Sequence, residues 1–163
     1  MSHDRAPDDL LQLERFLPYR LSVLANTVSA TIAGAYASQH DLSIPEWRVM
    51  AVLAHEPGLA AAEVADRTAM DKVAVSRAVS RLLQRRRIAR RQAEDDRRRS
   101  SLQLTPAGLD VYRQVSPAAL AYEGRLLDCL SETERRDLDG VMERLLKRAR
   151  ELAAESIIRP SAT

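Results

Sequence analysis

Apolar positions recur every three or four residues along most of this chain, which is the spacing of helices that bury one face. The first such stretch spans residues 18–39 and has Leu21, Leu24, Val28 and Ile32 on one side. It begins at a proline, which fits the first turn of a helix because its missing N–H has no partner to lose there. The stretch is too long and too apolar to stand alone, so we expect it to be covered.

Three shorter helices are predicted next by their capping residues. Ser43, with Glu46 three residues later, matches the capping-box pattern, and the helix that follows should end near His55. Residues 60–67 are rich in alanine and predict a second helix. Asp71 is a good N-cap for the third.

The third short helix has two unlike faces. Val75, Ala78, Val79, Leu82 and Leu83 fall on one side at helical spacing, so this side should pack into a core. The opposite side is basic and carries a hydroxyl, and it is formed by Val73, Arg77, Ser80, Arg81 and Gln84.

Two segments of strand character predict a β-hairpin after this helix. Residues 88–93 form the first strand and residues 94–97 the turn. Residues 101–104 alternate, with Leu102 and Leu104 on one face, so they should pair back as the second strand.

Two long helices complete the chain. The first has Thr105 as its N-cap, runs to about Leu130 and is expected to bend at Pro117. Ser131 and Glu134 form another capping box, which opens the last helix. The apolar side of that helix is formed by Leu138, Val141, Met142, Leu145, Leu146 and Leu152.

The predicted fold class is therefore mainly α with a small β-hairpin. Residues 43–105 should form a winged helix–turn–helix, in which the third short helix is the recognition helix and the hairpin is the wing. Helical segments at residues 10–42 and 106–155 flank this region, and the whole chain, residues 1–163, is expected to be a single domain.

The distribution of charge adds a partner to this picture. The net charge is only +2, but residues 72–99 hold 11 basic and three acidic residues, a local net charge of +8. The rest of the chain therefore carries −6. A basic module inside an acidic frame indicates a polyanionic partner.

Arginines on a helix are often only a solvated surface. Here Arg77 and Arg81 share their face with small residues rather than with glutamates at i,i+4 spacing, which favours contact with nucleic acid. Arg77 can donate two hydrogen bonds to a guanine edge, and Val73 can contact a thymine methyl group. The candidate DNA-contacting residues of the helix are Lys72, Val73, Ala74, Ser76, Arg77, Ser80 and Arg81.

The charged tip of the wing could likewise be a solvated surface or a contact with DNA. A charged tip can simply keep a sheet edge soluble, but Arg97, Arg98 and Arg99 in a row exceed that need. A tip arginine fits the narrow minor groove, and we assign Asp96 the role of orienting it. Residues 85–91, which are rich in arginine, are expected to contact phosphates.

The sequence offers no enzyme chemistry. We find no catalytic residues, no phosphate loop and no paired-carboxylate site, and the histidines lack metal-ligand spacing, so neither a metal nor a cofactor is expected. One cysteine allows no intrachain disulfide, and Cys129 is interpreted as a buried filler. The polar, acidic N-terminus and the absence of long apolar runs predict a cytoplasmic protein with no membrane partner.

Three motifs resemble those of the MarR family, the multiple-antibiotic-resistance type of bacterial regulator. They are "IPEWRVMAVL" from Ile44, "AVSRAVSRLLQRR" from Ala74 and "DRRRSSLQLTPAG" from Asp96. The last contains the wing signature of the family, and the resemblance covers roughly residues 17–150. The signature residues are Asp96, Arg98, Leu102, Leu104 and Thr105.

The resemblance implies a homodimer in which the segments at 10–42 and 106–155 interlock with a partner and two winged regions bind a palindromic double-stranded operator. It assigns Arg98 to the minor groove. The glycine that usually follows the recognition helix is replaced by Arg86 or Arg87, so this helix end is expected to differ. Peroxide-sensing members carry a cysteine near the start of the chain, which this sequence lacks, so redox sensing is not expected.

The resemblance also implies a small effector, often aromatic, and the start "FLPYRLSVLANTVS" is similar to members tied to the degradation of aromatic acids. Trp47 is either plain core or the wall of a ligand pocket. We propose a small aromatic carboxylate as the ligand, since an arginine can hold its charge and aromatic side chains its ring. The candidate residues are Arg20, His40, Trp47, Arg48 and Tyr112.

The function predicted from all of this is a dimeric, ligand-responsive transcriptional regulator, more specifically a repressor. The alternative is a helical interaction protein, such as an anti-activator, whose winged region binds protein. DNA binding that neutralises several phosphates weakens steeply with salt, whereas binding through an apolar groove does not.

Overall fold

The computed structural model describes residues 11–92 and 100–155. Its helices and strands are α1 (Leu17–Gly34), α2 (Ala37–His40), α3 (Ile44–His55), α4 (Ala61–Thr68), α5 (Lys72–Gln84), β1 (Ile88–Gln92), β2 (Ser100–Leu104), α6 (Pro106–Leu127) and α7 (Glu132–Ala154). The chain divides into two compact units, residues 1–119 and residues 120–163. The predicted fold class is confirmed: three helices and an antiparallel hairpin form a winged helix–turn–helix within a mainly helical chain.

The predicted caps are present. The Ser43 hydroxyl and backbone N–H both donate to the Glu46 carboxylate, at 2.5 Å and 2.9 Å, and the Glu46 N–H donates back to Ser43 at 3.4 Å. The Asp71 carboxylate accepts from the Ala74 N–H at 2.8 Å. Each cap satisfies N–H groups that the first turn of a helix leaves without a partner, which fixes where α3 and α5 begin.

The core of the first unit forms around α5. Val75, Ala78, Val79 and Leu82 are at most 3% exposed, as the predicted apolar face requires. They pack with buried residues of α3, α4 and the hairpin, namely Val49, Met50, Leu53, Val64, Ala65, Ile88 and Leu102. Full burial of one aliphatic side chain contributes about 1.5–3 kcal/mol, so this face holds the recognition helix firmly in the unit.

The hairpin pairs Ile88 with Leu104 and Arg90 with Leu102. An additional bridge was not predicted: Leu59, in the α3–α4 loop, accepts from the Leu102 N–H and pairs with it in antiparallel fashion. The hairpin is therefore anchored to the helix–turn–helix by backbone hydrogen bonds as well as by packing. The predicted turn at residues 94–97 lies outside the described residues.

The prediction of one helix over residues 18–39 is wrong. The structure ends α1 at Gly34 and starts α2 at Ala37, and between them Tyr36 adopts φ −130° and ψ −20°, outside the helical region. The break lets the Tyr36 ring enter the core, where it is 1% exposed. Burial of a large aromatic side chain therefore outweighs continuation of the helix.

The long helix after the hairpin is shorter than expected, because α6 ends at Leu127 and a turn closes with the Leu130 N–H donating to the Leu127 carbonyl at 3.0 Å. Cys129 lies in this turn and is exposed, so its interpretation as a buried filler is wrong. The cap of α7 is confirmed by hydrogen bonds between Ser131 and Glu134.

Across residues 11–92 and 100–155, no helix is long and apolar enough to cross a membrane. The same residues contain no cluster of three or more His, Cys, Asp or Glu side chains able to hold a metal ion.

The α5–β1 turn supplies a test of backbone strain. Arg86 takes the position of the expected glycine and adopts φ +54°, and Ala69, after α4, adopts φ +52°. Because only glycine occupies this left-handed region without steric cost, Arg86→Gly and Ala69→Gly should each raise the free energy of unfolding by roughly 0.5–1 kcal/mol. Urea unfolding measures this.

A matched control lies on an exposed position inside α6. Ala121→Gly has no strain to relieve and should lower the free energy of unfolding by about 1 kcal/mol. If neither left-handed position gained stability relative to this control, the turn would not be strained.

Candidate nucleic-acid interface

The face of α5 opposite the core is open to solvent. Of the residues predicted to contact DNA on this helix, Ala74 is half-buried and the others are exposed: Lys72, Val73, Ser76, Arg77, Ser80 and Arg81. Val73 stands out because it is 58% exposed, whereas the other exposed large apolar side chains within the described residues all lie in 11–24 or 120–146. The helix therefore offers a surface of arginines, hydroxyls and one apolar side chain.

A groove of about 640 Å³ runs beside this face, toward the start of α3. Its lining comes almost entirely from small residues and arginines, so an edge of a large ligand can approach the helix backbone. The lining residues are Ser43, Pro45, Ala74, Ser76, Arg77, Ala78, Ser80 and Arg81.

A smaller cavity of about 250 Å³ lies toward α4 and the hairpin. Two cationic side chains, Lys72 from the start of α5 and Arg90 from β1, line it together with Ser76 and the first residues of α4. Ser76 borders both cavities, so α5 forms a ridge between them. Arg90 and Lys72 thus line the same cavity. The sequence alone did not show that these two residues lie close together.

Two of the arginines in residues 85–91, which we expected to contact phosphates, form hydrogen bonds within the protein. The Arg85 guanidinium donates to the backbone carbonyl and to the carboxylate of Asp41, and Arg87 donates to the His40 carbonyl. Arg87 is half-buried, and desolvation, followed by repulsion from Arg85, lowers its pKa from the ordinary value. Both arginines are used inside the protein. Arg90 and Arg91 remain exposed on β1.

The wing-tip residues Asp96, Arg97, Arg98 and Arg99 lie outside the described residues. Their assignment to the minor groove stays a prediction from the sequence.

Trp47 belongs to an aromatic cluster. Its ring centroid lies 5.6 Å from that of Tyr36, at an interplanar angle of 37°, and 5.6 Å from that of Tyr112, at 18°. Trp47 and Tyr112 are half-buried against the core, so the core interpretation of Trp47 fits the structure. Tyr36 was missed in the sequence. The available signal was an aromatic residue just after Gly34 within a supposed helix.

Arg48 borders this cluster, whereas Arg20 lies roughly two to three turns earlier on α1 than the residue that Arg48 contacts. Arg48 donates to the Ser29 hydroxyl at 2.9 Å. Burial raises the pKa of Tyr36 to about 12, and the nearby Arg48 charge opposes the rise. Arg20 lies in the exposed first half of α1, roughly 13 Å along the helix axis from Ser29. His40 is half-buried at the end of α2, where its carbonyl accepts from Arg87.

The chain is similar to known transcriptional regulators. A model of the MarR family matches residues 40–99, the segment from the end of α2 to the residue before β2. A putative transcriptional regulatory protein for the hcr operon of Thauera aromatica is 28% identical over 106 residues. That alignment covers 65% of this chain and 64% of the relative, which is less than two thirds of the relative's length.

Solved structures agree with the fold. A MarR/EmrR family regulator from Acinetobacter sp. ADP1 is 26% identical, with a TM-score of 0.80 over 86% of this chain and 99% of that one. The PcaV regulator of Streptomyces coelicolor, solved with its natural ligand, is 24% identical, with a TM-score of 0.72 over 86% of this chain and 98% of that one. These neighbours are transcriptional regulators rather than enzymes.

Proposed function

We propose that this chain is a MarR family transcriptional regulator, a dimeric repressor that binds a palindromic operator through α5 and is released by a small aromatic carboxylate. Regulators of this family bind DNA and are typically dimers. The observation that carries the proposal is the structure of α5, whose apolar face is buried while its basic, small-residue face is exposed.

In this proposal the ridge of α5 enters the major groove. Arg77 donates two hydrogen bonds to a guanine and Val73 contacts a thymine methyl group. Ala74 and Ser76 keep the approach close because their side chains are short. The wing tip, with Arg98 oriented by Asp96, enters the adjacent minor groove, and Arg97 and Arg99 support it.

The smaller cavity beside α5 fits a DNA phosphate. Lys72 and Arg90 both line it, and a phosphate between two cations releases counterions and positions the protein without reading sequence. Arg90 therefore takes the phosphate role for which Arg85 and Arg87 are not available.

The exposed apolar side chains support a dimer. Outside α5, those found in the described chain lie in residues 11–24 and 120–146, and on α7 they recur at helical spacing. An exposed apolar stripe of this length is costly in water, and a second copy of the chain covers it in a two-fold interface. The division into a DNA-binding region at 43–105 and dimerisation segments at 10–42 and 106–155 stays part of this proposal.

The aromatic cluster supports the proposed effector site. Trp47, Tyr36 and Tyr112 supply flat apolar surface, and Arg48 beside them supplies a donor for a carboxylate. We place Arg20 and His40 at the rim of the site, with Arg20 reaching it only through a partner chain. To release DNA, the ligand must bind the DNA-incompetent arrangement of the two winged regions better than the competent one.

The first prediction separates base contact from phosphate contact, using the duplex that the wild-type protein selects from a randomised library. Arg77→Ala should cost about 1–3 kcal/mol on this duplex and relax the preference at one position in each half-site. Arg90→Ala should weaken selected and scrambled duplexes by the same factor and reduce the salt slope by about 1 per protomer. Fluorescence anisotropy at several salt concentrations measures both.

Arg113→Ala is the matched control, since Arg113 is an exposed arginine of α6 that pairs with Asp110 at 3.8 Å. This substitution should change neither the affinity for the two duplexes nor the salt slope. Equal weakening of both duplexes by Arg77→Ala would reduce Arg77 to a phosphate contact. Binding of a protein partner with no salt dependence, and no binding of DNA, would favour the interaction-protein alternative.

The second prediction concerns assembly. Met142→Glu places a charge in the exposed apolar stripe of α7 and should shift sedimentation at micromolar concentration from dimer toward monomer, because burial of an unpaired charge is strongly unfavourable. Glu143→Gln, on another face of the same helix, should leave the dimer intact. A wild-type protein that sediments as a helical monomer would contradict the proposal.

The third prediction uses Trp47, the single tryptophan of the chain, as a reporter of the effector site. Benzoates, hydroxycinnamates and pyridine carboxylates are titrated against its fluorescence and by calorimetry. At least one class should bind, and Arg48→Ala should weaken that binding by about ten-fold or more through loss of the charge-assisted donor. Arg20→Ala should weaken it only in the dimer.

Two results would count against this site. Binding that neither arginine variant changes would remove both from it. Binding by none of the three ligand classes would leave the aromatic-acid proposal without support.

A further inference from the structure

The recognition helix ends in a cluster of four charged side chains. Asp41, after α2, and Glu46, in the first turn of α3, face Arg85 and Arg87, which follow α5. Two acids and two bases balance the charge of this cluster, which we name the charged joint. It connects the α2–α3 loop to the end of α5, across more than 40 residues of sequence.

Glu46 is the unusual member of the joint because it is only 1% exposed. One of its oxygens, Oε2, accepts both hydrogen bonds from Ser43. The other, Oε1, accepts no hydrogen bond from any described residue and lies 3.6 Å from Nη1 of Arg85. Within the same cluster, Nη1 of Arg87 is also buried without a hydrogen-bond partner among the described residues.

Capping of α3 does not explain this burial. Within the described residues, two other helices hold a glutamate in their first turn in the same way: Glu63 accepts from the Ala60 N–H at 2.7 Å, and Glu134 accepts from the Ser131 N–H at 2.8 Å. Both of these glutamates are exposed. Because a cap works equally well in water, the desolvation of Glu46 must serve another purpose or be a net cost.

The turn between α5 and β1, which contains Arg86 and Arg87, is also held by hydrogen bonds from the start of α6. The Arg87 carbonyl accepts from the Thr105 N–H at 3.0 Å, and the Thr105 hydroxyl donates to the Arg86 carbonyl at 2.7 Å. A Cβ on Gly108 would lie 1.9 Å from the Arg87 carbonyl oxygen, so α6 approaches this turn as closely as a backbone can. The end of α5 is thus clamped between α6 and the charged joint.

We infer that Glu46 is a positioning residue for DNA recognition: through Arg85 it fixes the C-terminal end of α5, and with it the placement of Arg77. This inference rests on the proposed function. Arg77 lies about 12 Å along the helix from Arg85, so even a small displacement of the helix end, within what its buried face allows, also displaces the arginine at the groove. A bidentate contact tolerates little displacement, because its hydrogen bonds weaken steeply with distance and angle.

The test compares Glu46→Gln with Glu134→Gln, a capping glutamate that is exposed. Glutamine at position 46 keeps the size and the acceptor for Ser43 but removes the charge that faces Arg85. Glu46→Gln should lower affinity for the selected duplex by about ten-fold while changing affinity for a scrambled duplex by less than about two-fold, with the salt slope unchanged. Glu134→Gln should change neither affinity.

A double-mutant cycle with Arg85→Gln tests whether Glu46 acts on DNA recognition through Arg85. Arg85 is partly exposed, so this variant should fold even if Glu46→Gln does not, and it should show the same loss of discrimination. Combining the two substitutions should cost no more than either alone. Independent, additive losses would mean that Glu46 does not act through Arg85.

Hydrogen exchange tests, in the absence of DNA, whether Glu46 fixes the C-terminal end of α5. Glu46→Gln should speed exchange of the Arg85 and Arg87 amides, which donate to Arg81 and Leu82, relative to those in the middle of α5. A folded Glu46→Gln protein with unchanged exchange and unchanged discrimination would overturn the inference. A wild-type protein that selects no duplex would instead overturn the proposed function, and exchange would still test the joint.

Discussion

The complete burial of one face of α5 is the constraint on which the rest of the structure depends. Val75, Val79 and Leu82 are at most 2% exposed, so the helix cannot rotate without exposing its core side chains to water. The opposite face, with Arg77 and Val73, is therefore held toward solvent. α3, α4 and the hairpin serve as the packing surface that fixes this orientation, and the two cavities beside the ridge follow from it.

The arginines of the basic segment at residues 72–99 consequently fall into two groups, one exposed and one bound within the protein. Arg77 and Arg81 lie on the exposed ridge, and Arg90 lines the smaller cavity with Lys72. Arg85 and Arg87 are instead bound to the α2 end, where they hold the helix terminus. A local charge of +8 thus overstates the charge available to a polyanion, because part of it is neutralised within the protein.

Much of the fold could be predicted because its signals are local. The caps at Ser43, Asp71 and Ser131 and the apolar face of α5 depend on residues within one or two turns, and these predictions are confirmed. The failures depend on distant partners. The position of Tyr36 just after Gly34 hints at a helix break, but the burial of its ring depends on core residues far away in the sequence, and the pairing of Arg85 with Asp41 spans the whole helix–turn–helix. For the candidate site, the face of α5 followed from periodicity, whereas the neighbours of Arg90 required the folded chain.

We propose that this chain recognises a specific DNA sequence through α5 as a two-fold assembly. The most direct test is hydroxyl-radical footprinting of the wild-type protein on the duplex that it selects from a randomised library. We expect a palindromic sequence with two protected half-sites about 10 base pairs apart, centre to centre. Failure to enrich any sequence, with every duplex bound equally at each salt concentration, would contradict it.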